Sequence, residues 1–242
     1  MKKAYIYAII CLILTWFIAA SLINNEVILP NINQTIDSLL IIVKSSNFVF
    51  IVVDTVIRTF VAIGISFLIG LLLSILSFKN SKFKDFIHPI YLIFKTIPNI
   101  TFIILGLIWL GRSGSVILIV SLVTAPIIYA ELLSGFEQID ENLLLNTRTY
   151  SNNYYLKFKR IYLPLIYNDM ITALRTTLAL GFKVTIMAEL LSQIQTGIGR
   201  ELYYAKINLE TADIFGWTII IIFISTIFDW ILNLIEKCLI KH

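Results

Sequence analysis

The chain has 242 residues, 58% of them hydrophobic and 14% charged, with a mean hydropathy of +0.89. Soluble domains sit at roughly 45–50% apolar and 25% charged, so a water-soluble globule is excluded and a membrane-embedded chain is expected. The net charge of +4, from 19 Lys and Arg against 15 Asp and Glu, does not point to nucleic acid: the bases lie between apolar runs, not on one soluble face, and act as topology signals.

Lys2 and Lys3 precede an uncharged run from Ala4 to Asn25 that contains the small-residue step Ala19 to Ser21. Its apolar part exceeds the roughly 7–15 residues of a signal peptide, so a retained helix is expected. Five further windows approach the roughly 20 apolar residues that cross a hydrocarbon core. With Ala4 to Ile23, the set is Thr59 to Phe78, Phe86 to Gly111, Ser113 to Ala130, Met170 to Ala188 and Ile214 to Ile235. The fold class expected is therefore an all-α integral membrane protein with six transmembrane helices, forming one domain over residues 1–242.

Assigning alternate connections to alternate sides puts eleven bases (Lys2, Lys3, Lys79, Lys82, Lys84, Arg148, Lys157, Lys159, Arg160, Lys237, Lys241) on one side and five (Lys44, Arg58, Arg112, Arg200, Lys206) on the other. The positive-inside bias then places both termini in the cytoplasm. The long outer connection, Asn24 to Arg58, holds Phe48 to Val53, too short to span and read as an interfacial or strand-like segment. Cys11 and Cys238 fall in the first and last apolar runs, with neither metal-ligand spacing nor a disulfide framework, and no metal site is expected.

The inner connection, Glu131 to Asp169, is the informative one. Asp140 is placed to cap a short helix over residues 141–150, and Ser151 to Asn153 reads as a break. On a second short helix Tyr150, Tyr154, Phe158 and Ile161 recur at helical spacing, opposite Asn152, Asn153, Lys159 and Arg160, with Leu156 out of pattern. Pro164 lacks an amide and disfavours helix at Leu163, so the chain is expected to turn there before returning to the membrane.

Here the sequence resembles the membrane subunits of binding-protein-dependent ATP-binding-cassette (ABC) importers, whose inner loop carries Glu-Ala-Ala, three residues, Gly, nine residues, then Ile-x-Leu-Pro. Ile161, Leu163 and Pro164 stand in place, Ser151 replaces the Gly, and Leu145, Asn146 and Thr147 replace Glu-Ala-Ala; Arg148 and the earlier Gly135 are kept. The segment Lys95 to Gly111, together with "LGFKVTIMAEL", "GIGRELYYAK" and "FGWTIIII", is similar to the branch with nitrate, sulfonate, taurine and thiamine-precursor permeases. The similarity runs from Phe60 to Lys237.

The resemblance implies a type I importer permease in the cell membrane of a bacterium, paired with a second copy or a related permease. It also implies a solute-binding protein outside and separate cytoplasmic ATPase subunits that hold the ATP and Mg. The loop at about 134–165 would be a coupling element docking on the ATPase through Leu144, Leu145, Arg148, Tyr150, Ser151, Asn152, Phe158, Ile161, Leu163 and Pro164. Ser at a left-handed position costs about 1–2 kcal/mol, and Asn152 is placed to absorb the turn. An amphipathic loop lying on headgroups is the other reading.

Four charges lie inside apolar windows, where a charge marks a pathway or a buried pair. Arg175 and Asp229 fall at similar depth and are expected to form a structural ion pair. For Lys95 and Lys183 two readings stay open, lining an anion-attracting cavity, or snorkelling and packing. Pro98 marks either a kink facing a cavity or a packing kink. Glu189 either lines a gate, contacts a binding protein, or is a lone interfacial carboxylate. "GIGRE", Gly197 to Glu201, lacks the following Lys-Ser/Thr of a phosphate loop, and no Walker motif occurs. A membrane enzyme would need aspartate clusters or His–carboxylate pairs, and the only histidines are His88 and His242. No cofactor in this chain and no enzymatic activity are expected. A secondary transporter, the other alternative, would rest on inverted repeats.

Overall fold

The computed structural model describes residues 2–140, 156 and 158–240. All regular structure among them is helical. Helix α1 (Lys2–Ile23) leads through a turn at Asn25, whose carbonyl accepts from Ile28 N and Leu29 N, into α2 (Ile32–Lys44). There Asn31 N donates to Gln34 Oε1 at 2.8 Å, one half of a capping box. Trp16 of α1 stacks on Phe215 and donates to the Pro30 carbonyl, fixing the first hairpin.

Helix α3 (Phe48–Lys79) runs 32 residues, and this corrects the reading of Phe48 to Val53 as interfacial or strand-like. No Gly or Pro interrupts the chain between Asn47 and Gly64, so the β-branched and aromatic run continues as helix. Its buried face is a seam of small residues, among them Thr55, Thr59, Ala62, Ser66, Gly70, Ser74 and Ser77, which lets a neighbour approach closely. That neighbour is α5 (Asn99–Glu137). Thr124 Oγ1 donates to Ser66 Oγ at 2.7 Å, Ser121 Oγ donates to the Ala62 carbonyl at 3.1 Å, and the Ser77 and Tyr129 hydroxyls meet at 3.1 Å.

The third sequence window is not one helix. Helix α4 (Ser81–Thr96), capped by Asn80 accepting from Lys82 N and Phe83 N, ends before Pro98. The next piece, Asn99–Arg112, is bent from it by 96°. Proline has no amide to give an ongoing helix but costs nothing ahead of a first turn, so Pro98 starts a new helix instead of kinking an old one. A second break follows at Gly111, with φ 67 and ψ −163, a conformation that L side chains resist. No residue of α4 is buried. Beneath it a cavity of about 430 Å³ opens between α3, α4 and α5, lined by apolar side chains such as Ile69, Phe94 and Leu118.

Phe158–Tyr162 forms a π-helical turn running into the short helical turn Leu163–Leu165, with Pro164 in its first positions. The chain therefore does not break at Leu163; it bends through the wide turn and Ile166, whose amide donates to the Tyr162 carbonyl. The capped helix expected over 141–150, the Ser151 to Asn153 break, and Tyr150 and Tyr154 lie outside the described residues.

Helix α6 (Tyr167–Ser192) is the central element. On one side Val184 and Ala188 join Ala62, Phe102, Ile119 and Val120 of α3 and α5. On the other, Phe182 and Ile186 join Ile198, Trp217, Ile224 and Phe228 from α7 (Ile198–Ile207) and α8 (Thr211–Ile240). Helix α2 packs on the start of α8, where Ser38 Oγ donates to Asp213 Oδ1 at 2.6 Å. Among the described residues four helices are long and apolar enough to cross a membrane (Phe48–Lys79, Gly114–Glu137, Tyr167–Ser192 and Thr211–Glu236), and a fifth crossing follows if the bent pair counts as one span; the apolar helix Tyr7–Ile23 is shorter.

Candidate functional site

Among the described residues, the side chains singled out in the sequence fall at three places on the bundle. At the end carrying α7, Glu189 is fully buried. Its Oε1 accepts from Arg58 Nη1 at 2.8 Å, and its Oε2 accepts from Thr55 Oγ1 at 2.9 Å and Gly199 N at 3.0 Å. Arg58 also donates through Nη1 to the Thr196 carbonyl and through Nη2 to Asp54 Oδ2 and Thr196 Oγ1, and the Thr196 hydroxyl donates to Asp54. Ile198 N donates to Thr55 Oγ1. Two free amides of the first turn of α7 are thus satisfied by α3 and α6, with the carboxylate at the positive end of that helix. Gly197 takes φ 137, and a Cβ there would lie 2.6 Å from Glu189 Oε2, so the sequence needs glycine where it has "GIG".

Glu189 therefore neither lines an open gate with its own carboxylate nor stands alone at an interface. Its partner Arg58 is 131 positions away, beyond what spacing can reveal. The only sequence signal was two opposite charges, each near the same end of an apolar window. Glu201, in the first turn of α7, has its carboxyl pushed up by burial, with Arg200 beside it pulling back.

The second place is the free stripe of α6. Thr172, Thr176, Lys183, Met187 and Leu191 are exposed, while Phe182, Val184, Thr185 and Ile186 are buried. Among the described residues Lys183 has no ion-pair or hydrogen-bond partner. It stands about 24 Å from the start of the helix and about 14 Å from its end at 1.5 Å per residue. Lys95 is also exposed, but in the last turn of α4, with its ammonium 5.6 Å from the Tyr91 ring centroid. Pro98 is exposed at the break.

The third place is the opposite end. Tyr162 of the π turn packs edge-on to Phe78 at 5.9 Å and Phe136 at 6.5 Å, and these two stack on each other at 5.2 Å. Ile166 is fully buried. Phe158, Ile161 and Leu163 are half-buried, whereas Leu156, Lys159, Arg160, Pro164 and Leu165 are exposed. Tyr162 occupies the variable position of Ile-x-Leu-Pro and went unremarked in the sequence, yet it is the side chain that pins the corner. Leu144, Leu145, Arg148, Tyr150, Ser151 and Asn152 lie outside the described residues.

At this end the expected pair of Arg175 with Asp229 is replaced by another. Arg175 Nη2 donates to Glu236 Oε2 at 2.5 Å and Asn233 Oδ1 at 2.8 Å. Asp229, Asn233 and Glu236 follow one stripe of α8 at four- and three-residue spacing, and Arg175 meets that stripe at its lower two members. Asp229 stays exposed beside Trp230.

The fold resembles solved chains of the MetNI methionine ABC transporter in inward-facing conformations. For the native CY5 crystal form the TM-score is 0.69 at 18% identity, covering 80% of this chain and 98% of that one. For the selenomethionine-soaked CY5 form the TM-score is 0.61 at 20% identity, covering 74% and 92%. A curated relative, the trimethylamine N-oxide transport system permease protein TmoV of Pelagibacter ubique (strain HTCC1062), is 22% identical over 154 residues, which is 63% of this chain and 21% of the relative. This chain thus spans about a fifth of that relative's length. Residues 62–241 match the family described as binding-protein-dependent transport system inner membrane component, and the chain belongs to that family of multi-pass ABC transporter permeases.

Proposed function

We propose that the chain is the membrane-spanning subunit of an ATP-driven importer that takes a small solute from an extracytoplasmic binding protein. The family match over residues 62–241 carries this reading. In it two copies, or this chain and a related permease, frame a central pathway, with six spans and both termini in the cytoplasm of a bacterial cell. The α7 end faces outward and the Tyr162 corner faces the cytoplasm, in line with the eleven bases counted toward that side.

The free stripe of α6 faces the pathway. A lone ammonium deep in a span is costly unless it meets water or a partner, and Lys183 on that stripe suits a solute with a negative or negatively polarised oxygen. The relative named for trimethylamine N-oxide, a dipolar solute, fits this chemistry, as does the likeness to the nitrate and sulfonate branch. Lys95, stacked on Tyr91, serves packing.

The cytoplasmic loop ending in Ile161, Leu163 and Pro164 docks on separate ATPase subunits that bind ATP and Mg, and Tyr162 transmits their movement to α3 and α5 through Phe78 and Phe136. Leu145→Asp or Tyr150→Asp is expected to insert normally yet to lose the ATPase subunits on co-purification, or to keep them with futile hydrolysis. A charge forced into an apolar docking pocket costs several kcal/mol, and about 1.4 kcal/mol is already tenfold in affinity. Lys206→Glu, on the exposed end of α7, is expected to assemble normally. Loop variants that keep normal ATPase content and transport would instead favour a loop bound to headgroups.

A further inference from the structure

The cluster around Glu189 is built more tightly than a span boundary needs. Three parts of the chain supply it: Asp54, Thr55 and Arg58 from α3, Glu189 from α6, and Thr196 of the α6–α7 turn with the Ile198 and Gly199 amides of the first turn of α7. Thr55 uses one hydroxyl twice, donating to Glu189 and accepting from Ile198 N. The packing leaves no slack, since a Cβ at Gly199 would fall 2.4 Å from the Ile186 carbonyl oxygen and 2.5 Å from Glu189 Cβ. Deeper along the same interface the Thr59 and Thr185 hydroxyls meet at 3.0 Å.

We infer that this cluster is a lock that carries α7 as one rigid body with the adjoining ends of α3 and α6, with Glu189 as the positioning residue that sets where α7 sits. A buried charge network is rigid when fully satisfied, and with one member missing it leaves an unpaired charge in a dry site. Small sliding of α7 together with the turn that leads into it would break five of these bonds at once, three made by Thr196 and two by the Ile198 and Gly199 amides, so α7 keeps its register against α3. The open joint of the bundle lies elsewhere, at the Gly111 break, where nothing comes within 4 Å of a Cβ placed on Gly111; α4, with no fully buried residue, rests on α5 through the Phe94–Phe102 and Tyr91–Tyr129 ring contacts and the Lys84–Glu137 ion pair. If the transport reading holds, on which only this consequence rests, the outer mouth changes shape by movement at the Gly111 joint while α7 stays fixed to α3.

The lock is tested on the full chain in lipid nanodiscs, with Cys11 and Cys238 replaced by serine, by pulsed electron–electron resonance between spin labels at Val49→Cys on α3 and Tyr204→Cys on α7, both exposed positions. A control pair at the opposite end uses Leu76→Cys and Leu165→Cys, also exposed. The chain with Asp54, Thr55, Arg58 and Glu189 intact should give a narrow 49–204 distance distribution. Glu189→Gln and the isosteric Thr55→Val should each at least double its width and leave the control pair unchanged, and Thr55→Ser should restore the narrow distribution. Should Glu189→Gln not insert, Thr55→Val decides alone. An unchanged 49–204 distribution in Thr55→Val, or equal broadening of the control pair, overturns the lock. Neither result depends on an ATPase or a solute, so failure here is distinct from failure of the transport reading.

Discussion

Arg58→Ala is expected to lower the unfolding free energy of the detergent-solubilised chain by about 3–5 kcal/mol, the range for removing one partner of a buried ion pair. The size follows from what is left behind. Glu189 is fully enclosed and Arg58 only 16% exposed at its side chain, so water cannot replace the guanidinium. Truncation orphans the Glu189 Oε1 acceptor and the Thr196 carbonyl together, and leaves Asp54 with only the Thr196 hydroxyl. Arg58→Lys should recover part of the loss, because an ammonium supplies the charge but not the planar fork that reaches Glu189, Thr196 and Asp54 at once. Unfolding curves in mixed micelles measure both changes. A loss below 1 kcal/mol for Arg58→Ala would mean that the pair is solvated.

Gly70→Val is the second large effect expected, with a cost of about 1–3 kcal/mol or more from overpacking. A Cβ on Gly70 would stand 2.7 Å from Ile128 Cγ2 and 3.0 Å from both Ile128 Cβ and Tyr129 N. The last of these is backbone of α5 and has no rotamer with which to yield. Forcing α3 and α5 apart there would also stretch the Ser77–Tyr129 hydroxyl contact seven residues further along α3. A fall in melting midpoint is expected for Gly70→Val, in contrast to Gly64→Ala, whose Cβ would meet nothing within 4 Å. Equal behaviour of the two variants would show that the α3–α5 seam is not close-packed.

The helices that hydropathy marked most sharply came through with small shifts. Met170 to Ala188 became Tyr167–Ser192, and Ile214 to Ile235 became Thr211–Ile240. Phe48 to Val53 was misread because a six-residue run ahead of Asp54 looks detached from the window beginning at Thr59. The Asp54 and Arg58 that interrupt the hydropathy are the residues bound to Glu189 and Thr196, so the charge that hid the helix is the charge that locks it. The break at Pro98 was visible as a proline, but its 96° bend depends on how α4 meets the cavity between α3 and α5, which no local pattern encodes.

Among site residues, chain order exposed what is local and hid what is distant. Ile161, Leu163 and Pro164 stood out through the resemblance to the Ile-x-Leu-Pro motif, whereas the packing of Tyr162 needs Phe78 and Phe136, remote in sequence. Depth along a helix was judged well enough to match Arg175 of α6 to the acidic stripe of α8, but about two turns of error sufficed to name Asp229 in place of Glu236. Lys183 was singled out for being a charge in an apolar run; only the burial of its neighbours shows that the stripe it occupies is free.

That this chain is one subunit of an assembly powered by separate ATPases is tested most directly by isolating the affinity-tagged chain from the membranes of its own host in mild detergent. The purified material is then identified by mass spectrometry and assayed for ATP hydrolysis. The expected result is two permease subunits with bound ABC ATPase subunits and vanadate-sensitive hydrolysis. A chain that purifies free of any ATPase, yet moves solute in liposomes on an ion gradient alone, would contradict it.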